Sequence, residues 1–198
     1  MQLIIISGPS GSGKTMLSKI IKKKFKNGII LNTDNYYKTG LISQILSKIV
    51  SCYFDRKISF NFKLFKEHLD FILKKGCSNF SYIYDFKNKS IEKINKKTTN
   101  IKFIIVEGIF VHEILKSYAI KNYILINLKT KKKSCMKRVL KRDFIERGKS
   151  EEFAKRDFLK AWGVFHKSKK RRDFKNFLKK FVVENKSDIK NLLKKLNL

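Results

Sequence analysis

Residues 8–15 read Gly8-Pro9-Ser10-Gly11-Ser12-Gly13-Lys14-Thr15, a complete G-x-x-x-x-G-K-T sequence. It lies between the apolar run Leu3-Ile4-Ile5-Ile6 and a helix-like stretch that opens near Lys14. No other feature restricts the fold as much, because the motif has chemical meaning only as a loop joining a strand to a helix. The glycines let successive backbone N–H groups turn toward one anion, and the helix N-terminus adds its partial positive charge. Lys14 is then placed to reach β- and γ-phosphates, and the Thr15 hydroxyl to ligate Mg²⁺. Gly8, Ser10, Gly11, Ser12, Gly13, Lys14 and Thr15 are therefore expected to cradle a nucleoside triphosphate.

Further β-prone apolar runs at 28–32, 103–106, 123–127 and 181–183 are separated by amphipathic stretches near 16–26, 62–75, 111–118, 131–146 and 187–197. Strands alternating with helices predict an α/β fold with a parallel sheet covered by helices on both faces. Residues 80–98 differ: Phe80-Ser81-Tyr82-Ile83-Tyr84 alternates aromatic and polar positions before a Lys- and Asn-rich stretch, the pattern of a hairpin or flap. The 198 residues contain neither a Gly/Ser-rich linker nor an internal repeat, so one domain spanning 1–198 is expected.

Lys and Arg number 47 against 16 Asp and Glu, a formal net charge of +31, in a chain that is 42% hydrophobic and so able to form a core. The lysines are spread throughout and accompanied by abundant Asn, Ile and Phe, as genome bias toward AT-rich codons would produce. A nucleic-acid partner is the less favoured reading of that charge, although the field attracts phosphates in general. Cys52, Cys77 and Cys135 are odd in number and form no C-x-x-C pair, which reads as reduced thiols in a cytoplasmic setting. The opening apolar run is too short for a signal peptide, and no stretch approaches a membrane span.

In an open parallel sheet, ligands gather at the carboxyl ends of the strands. There the second run ends in Asn32-Thr33-Asp34-Asn35-Tyr36-Tyr37-Lys38 and the third in Val106-Glu107-Gly108-Ile109. Phosphoryl transfer has work for two carboxylates: one helps place Mg²⁺, another accepts the proton of the attacking hydroxyl. Structural alternatives are a helix N-cap for Asp34 and a surface acid before a turn for Glu107. His68, in an amphipathic helix, reads as structural; Trp162 and Phe165 read as packing residues or a platform for a flat ring, with packing favoured.

At this point a series of motifs in register resembles the uridine (uridine–cytidine) kinases of the phosphoribulokinase and uridine kinase group. Besides the loop these are Asp34-Asn35-Tyr36-Tyr37-Lys38, Tyr53-Phe54-Asp55, Tyr84-Asp85-Phe86, Glu107-Gly108-Ile109 and Arg142-Asp143-Phe144-Ile145-Glu146-Arg147-Gly148. The resemblance covers 1–149 and fades afterwards. It implies a nucleoside-kinase-like fold with a small flap around 80–98 and a helical lid around 131–165. It further implies that Asp34 is the base on a nucleoside 5′-hydroxyl, with Mg²⁺ held by Thr15 and Glu107. Tyr37, Phe54, Asp55 and Tyr84 would surround the acceptor, joined by Lys89 and Lys149. Arg138 would grip ATP, and Arg142 and Arg147 would neutralise the transferring phosphoryl. The resemblance leaves a homo-oligomer open.

Several departures fall in the acceptor pocket. The family's His and Arg after Tyr-Asp-Phe are here Lys89 and Ile91; its R-G-R is Arg147-Gly148-Lys149; a downstream Gln aligns near Asp157; and N-F-D-H-P-D reads Tyr53-Phe54-Asp55-Arg56-Lys57-Ile58. The resemblance thus carries phosphoryl transfer further than it carries pyrimidine selectivity. The expected activity is phosphorylation of uridine or cytidine. Alternatives are another riboside or primary alcohol (nicotinamide riboside, pantothenate), a nucleic-acid 5′-end kinase, or an ATP-dependent switch.

Overall fold

The computed structural model describes residues 1–118, 120–169 and 174–196. The chain runs β1 (Gln2–Ser7), α1 (Lys14–Phe25), β2 (Gly28–Asn32), α2 (Leu41–Ile49), α3 (Phe62–Lys75), β3 (Ser78–Asp85) and β4 (Ser90–Thr98). It continues with β5 (Phe103–Glu107), α4 (Val111–Ser117), β6 (Tyr123–Leu128), α5 (Lys132–Arg147), α6 (Glu151–Lys169), β7 (Phe177–Val183) and α7 (Lys186–Lys195). The main sheet is five-stranded and parallel, in the order β2-β5-β1-β6-β7.

Alternate residues of β1 serve opposite faces. Ile4 and Ile6 pack with Leu17 and Ile21 of α1 and Leu192 of α7, whereas Ile5 joins Phe65, Leu69 and Ile72 of α3 and Ile114 of α4. That is why the first run is continuously apolar: both of its faces are covered. β3 and β4 pair antiparallel as the expected hairpin, and α5 and α6 form a helical pair where the lid was expected.

Two expectations are revised. The late strand is longer than 181–183, beginning at Phe177, and α2 was not foreseen. Its apolar residues Leu41, Ile42, Ile45 and Ile49 recur at helical spacing but are exposed rather than packed inward. Residues 170–172 of the cationic run 167–172 lie outside the described residues. Among the described residues, no helix is long and apolar enough to cross a membrane.

Candidate active site

The carboxyl ends of β1, β2 and β5 stand side by side, with Asn32 of β2 level with Glu107 of β5 and Glu107 level with Ile6 of β1. The loop after β1, the turn after β2 and the acid ending β5 therefore meet on one edge of the sheet.

In the glycine loop, Gly11 and Gly13 take φ values of 77° and 98°, the left-handed region that favours glycine. A side chain at Gly11 would also meet the Cys135 carbonyl oxygen at 2.5 Å. α5 and the segment before it back the loop closely: Arg138 Nη1 of α5 donates to Gly11 O (3.1 Å), and Thr130 Oγ1, just before α5, donates to Ser12 O (3.1 Å). Lys14 is buried at the start of α1, where its ammonium donates to Gly8 O (3.0 Å) and Pro9 O (3.1 Å). Burial holds its pKa below the usual lysine value, while Glu107 and then Asp34 pull it back up and Arg142 pushes it down. Four charges thus converge on one loop. Ser12 Oγ is buried without a hydrogen-bond partner, and Ser10 lines a neighbouring cavity.

Glu107 is buried, and burial pushes its carboxyl above the ordinary range against the opposing pull of Lys14. Its Oε1 accepts the Thr15 hydroxyl at 2.7 Å. A hydroxyl and a carboxylate in contact, beside a loop shaped for phosphate, form a hard oxygen pair of the kind Mg²⁺ shares with nucleotide phosphates and water. Among the described residues no cluster of three or more His, Cys, Asp or Glu stands together.

Asp34 sits in a 3-10 turn, Thr33–Asn35, directly after β2. The cap of that turn is Asn32, whose Oδ1 accepts from the Asp34 N–H at 2.8 Å, so the Asp34 carboxylate is not spent on capping. Instead Asp34 Oδ1 accepts from the Tyr37 hydroxyl (3.3 Å), which also donates to Phe54 O (2.9 Å). Tyr37 packs edge-on against Phe54, Tyr84 and Phe86, with ring centroids 5.0–5.7 Å apart. Within this aromatic wall Tyr84 is buried, its hydroxyl has no partner, and burial raises its pKa to about 12. Asp55 is partly buried beside Asp34; desolvation and then that like charge raise its pKa to about 6, while Arg147 and Arg142 act to lower it.

The cations of α5 gather on a carboxylate that sequence reasoning overlooked. Asp143 is buried and accepts Arg142 Nε (2.9 Å) and Nη2 (2.7 Å). Arg147 Nη1 lies 3.6 Å and Lys149 Nζ 3.7 Å from the same carboxylate. Arg147 is also stacked over Phe86, 4.0 Å from its ring centroid, and Lys149 reaches Asp157 of α6 at 2.8 Å. Spacing offered a clue, since Asp143 and Arg147 stand four residues apart on one helix face. Lys89 is placed elsewhere: its ammonium donates to Ser47 Oγ of α2 (2.7 Å) from the turn of the hairpin.

Two cavities adjoin the loop. One of about 550 Å³ is bounded by Gly8, Lys129, Lys131 and Glu184; the other, about 390 Å³, by Ser10, Asp55, Ile109 and His112. Pro9, Trp162 and Phe165 line both, so α6 is their common wall.

Residues 3–180 match the Phosphoribulokinase / Uridine kinase family. A uridine kinase of Borrelia garinii subsp. bavariensis is 34% identical over 173 residues, covering 83% of this chain and 79% of the relative. A uridine kinase of Borrelia duttonii is 31% identical over 167 residues, covering 81% and 76%. Among solved structures, D-glycerate 3-kinase from Cryptococcus neoformans superposes with a TM-score of 0.59 at 15% identity, covering 96% of this chain and 86% of that one. Deoxyadenosine kinase from M. mycoides gives 0.53 at 17% identity, covering all of both chains. These two share the fold. The chain belongs to the phosphoribulokinase / uridine kinase family and is a phosphotransferase of the P-loop kinase fold.

Proposed function

We propose that this chain transfers the γ-phosphoryl group of ATP to the 5′-hydroxyl of a nucleoside, uridine or cytidine, as a uridine kinase of the cytoplasmic salvage type. The observation that carries this reading is the Asp34–Tyr37–Phe54 linkage, which holds a carboxylate on an aromatic wall, near enough to Lys14 of the glycine loop to raise its pKa. A carboxylate so placed serves as a base toward a hydroxyl, and the edge-to-face rings offer flat apolar surface to a nucleobase. The relatives named uridine kinase supply the acceptor class.

In this mechanism the loop amides and Lys14 bind the β- and γ-phosphates, and the adenosine portion occupies the larger cavity. Mg²⁺ held by Thr15 and Glu107 would offset phosphate charge and help align the γ-phosphoryl. Asp34 accepts the proton of the attacking hydroxyl as the O–P bond forms and ADP leaves. Asp55 accepts hydrogen bonds from the acceptor's ribose, and the Tyr84 hydroxyl is directed to its polar groups. Arg142 and Arg147 stabilise charge on the moving phosphoryl, with Arg138 against the loop. Closure of α5 and α6 over both cavities excludes water and limits idle hydrolysis.

The placement of Lys89 on Ser47 favours one second reading, a different flat-ringed riboside as acceptor, because the pocket's base-recognising position faces α2 instead. Turnover of Mg·ATP against uridine, cytidine, adenosine, guanosine, nicotinamide riboside and a 5′-hydroxyl oligonucleotide separates these readings. Uridine or cytidine turnover is expected; activity confined to another acceptor would replace the pyrimidine reading.

A further inference from the structure

Behind the Asp34 turn lies a buried hydrogen-bond chain that the catalytic steps do not use. Tyr36 Oη lies 2.8 Å from His68 Nδ1, His68 Nε2 lies 3.1 Å from Ser78 Oγ, and Ser78 Oγ donates to Phe80 O at 2.8 Å. All three side chains are buried. The chain spans three elements: the turn that carries Asp34, helix α3, and strand β3, whose far end carries Tyr84.

Its direction is set by counting protons. The single Ser78 hydroxyl hydrogen is engaged by Phe80 O, so Ser78 accepts from His68 and Nε2 carries the ring hydrogen. Nδ1 is therefore bare and accepts from Tyr36. Burial keeps the His68 pKa down at about 4, with Lys93 acting the same way, so the ring stays neutral near pH 7. Burial also pushes the Tyr36 phenol far up, which keeps it a donor. The imidazole is clamped by stacking on Phe80 (centroids 4.7 Å apart, planes at 24°) and by the edge of Tyr82 (5.3 Å).

The backbone of the turn has other anchors, Tyr36 N–H to Thr33 O (3.1 Å) and Asn61 N–H to Tyr36 O (2.7 Å). Neither ties it to the hairpin, whose direct links to the turn include a long hydrogen bond from Tyr84 N–H to Asn35 Oδ1 (3.4 Å) and the ring contacts of Tyr36 with Tyr82 and of Tyr37 with Tyr84. We infer that His68 is a positioning residue, whose Tyr36–His68–Ser78 chain sets the turn carrying Asp34 and Tyr37 relative to the strand carrying Tyr84. This rests on the reading of Asp34 as the base. A turn held only by its backbone anchors and the long Asn35–Tyr84 bond would let the Asp34 carboxylate shift off line while leaving the nucleotide loop intact.

The test opens the chain one link at a time. His68→Gln reaches toward Ser78 and abandons Tyr36, Tyr36→Phe removes the same link from the other side, and His68→Asn keeps an acceptor for Tyr36 but loses Ser78. With the best acceptor found, all three should lower kcat about tenfold or more with KM for ATP unchanged. Hydrogen exchange at amides 33–37 should quicken about tenfold in all three, the effect of one lost hydrogen bond on local opening. A kcat within about twofold of wild type for Tyr36→Phe, or for His68→Asn, would overturn the inference. Exchange is read without substrate. A wrong acceptor therefore shows as a silent wild type, and a wrong positioning role as unchanged exchange at 33–37.

Discussion

The Thr15 hydroxyl donates to Glu107 Oε1 across 2.7 Å, joining the start of α1 to the end of β5 although the two residues lie 92 positions apart. This contact places the two proposed Mg²⁺ ligands beside Lys14 before any substrate arrives. Glu107→Gln keeps the shape and removes the charge. It should raise the Mg²⁺ concentration needed for half-maximal rate and lower kcat by about 10–100-fold. Initial rates against Mg²⁺ at saturating ATP measure both; an unchanged Mg²⁺ dependence would remove Glu107 from the metal site.

Asp143 holds the guanidinium of Arg142 and lies near Arg147 and Lys149, so lid geometry depends on one buried carboxylate. Asp143→Asn leaves every cation in place but loosens their arrangement. The expected result is a fall in kcat of about 10²-fold, the effect of misplaced groups in a transfer site. Steady-state kinetics at fixed pH check this, and normal kcat would show that the arginines find their positions without Asp143.

Asp55 and His68 make opposite contributions to stability between pH 4 and 6.5. Asp55 rises from an ordinary 3.8 to about 6 in the folded chain. The folded state then holds a proton that the unfolded chain has released, so the contribution of Asp55 is lost as pH climbs toward 6. His68 falls from 6.5 to about 4, so the unfolded chain binds the extra proton and the contribution of His68 is lost as pH drops from 6.5. At 1.36 kcal/mol per pKa unit each is worth up to roughly 3 kcal/mol, and in the wild type they offset. Denaturant unfolding across this range should show stability rising more steeply with pH in Asp55→Asn, and less steeply in His68→Asn, than in the wild type. Parallel profiles for all three proteins would contradict these assignments.

Much of this architecture is legible in the chain itself, for identifiable reasons. β1 reads clearly because both its faces are covered, and the glycine loop because positive φ at Gly11 and Gly13 leaves little choice of residue. α2 carries Leu41, Ile42, Ile45, Leu46 and Ile49 at helical spacing, a readable stripe confined to nine residues whose exposed apolar face seats no core. The His68 helix could be recognised from periodicity, but its partners stand 32 and 10 positions away in sequence. The N-cap alternative for Asp34 fails for a local reason, since Asn32 caps the turn first. Lys89 could be placed at the hairpin turn from its position, yet its engagement with Ser47 depends on how α2 lies against the hairpin.

The most direct measurement compares phosphoryl transfer from ATP to uridine and cytidine by the wild-type chain and by Asp34→Asn, with ATP binding measured in parallel. The account predicts a 5′-monophosphate product from the wild type, unchanged ATP binding in the variant, and a loss of turnover of about 10²–10⁴-fold, the range contributed by a positioned base. Near-normal turnover by Asp34→Asn would contradict the assignment of Asp34 as the base.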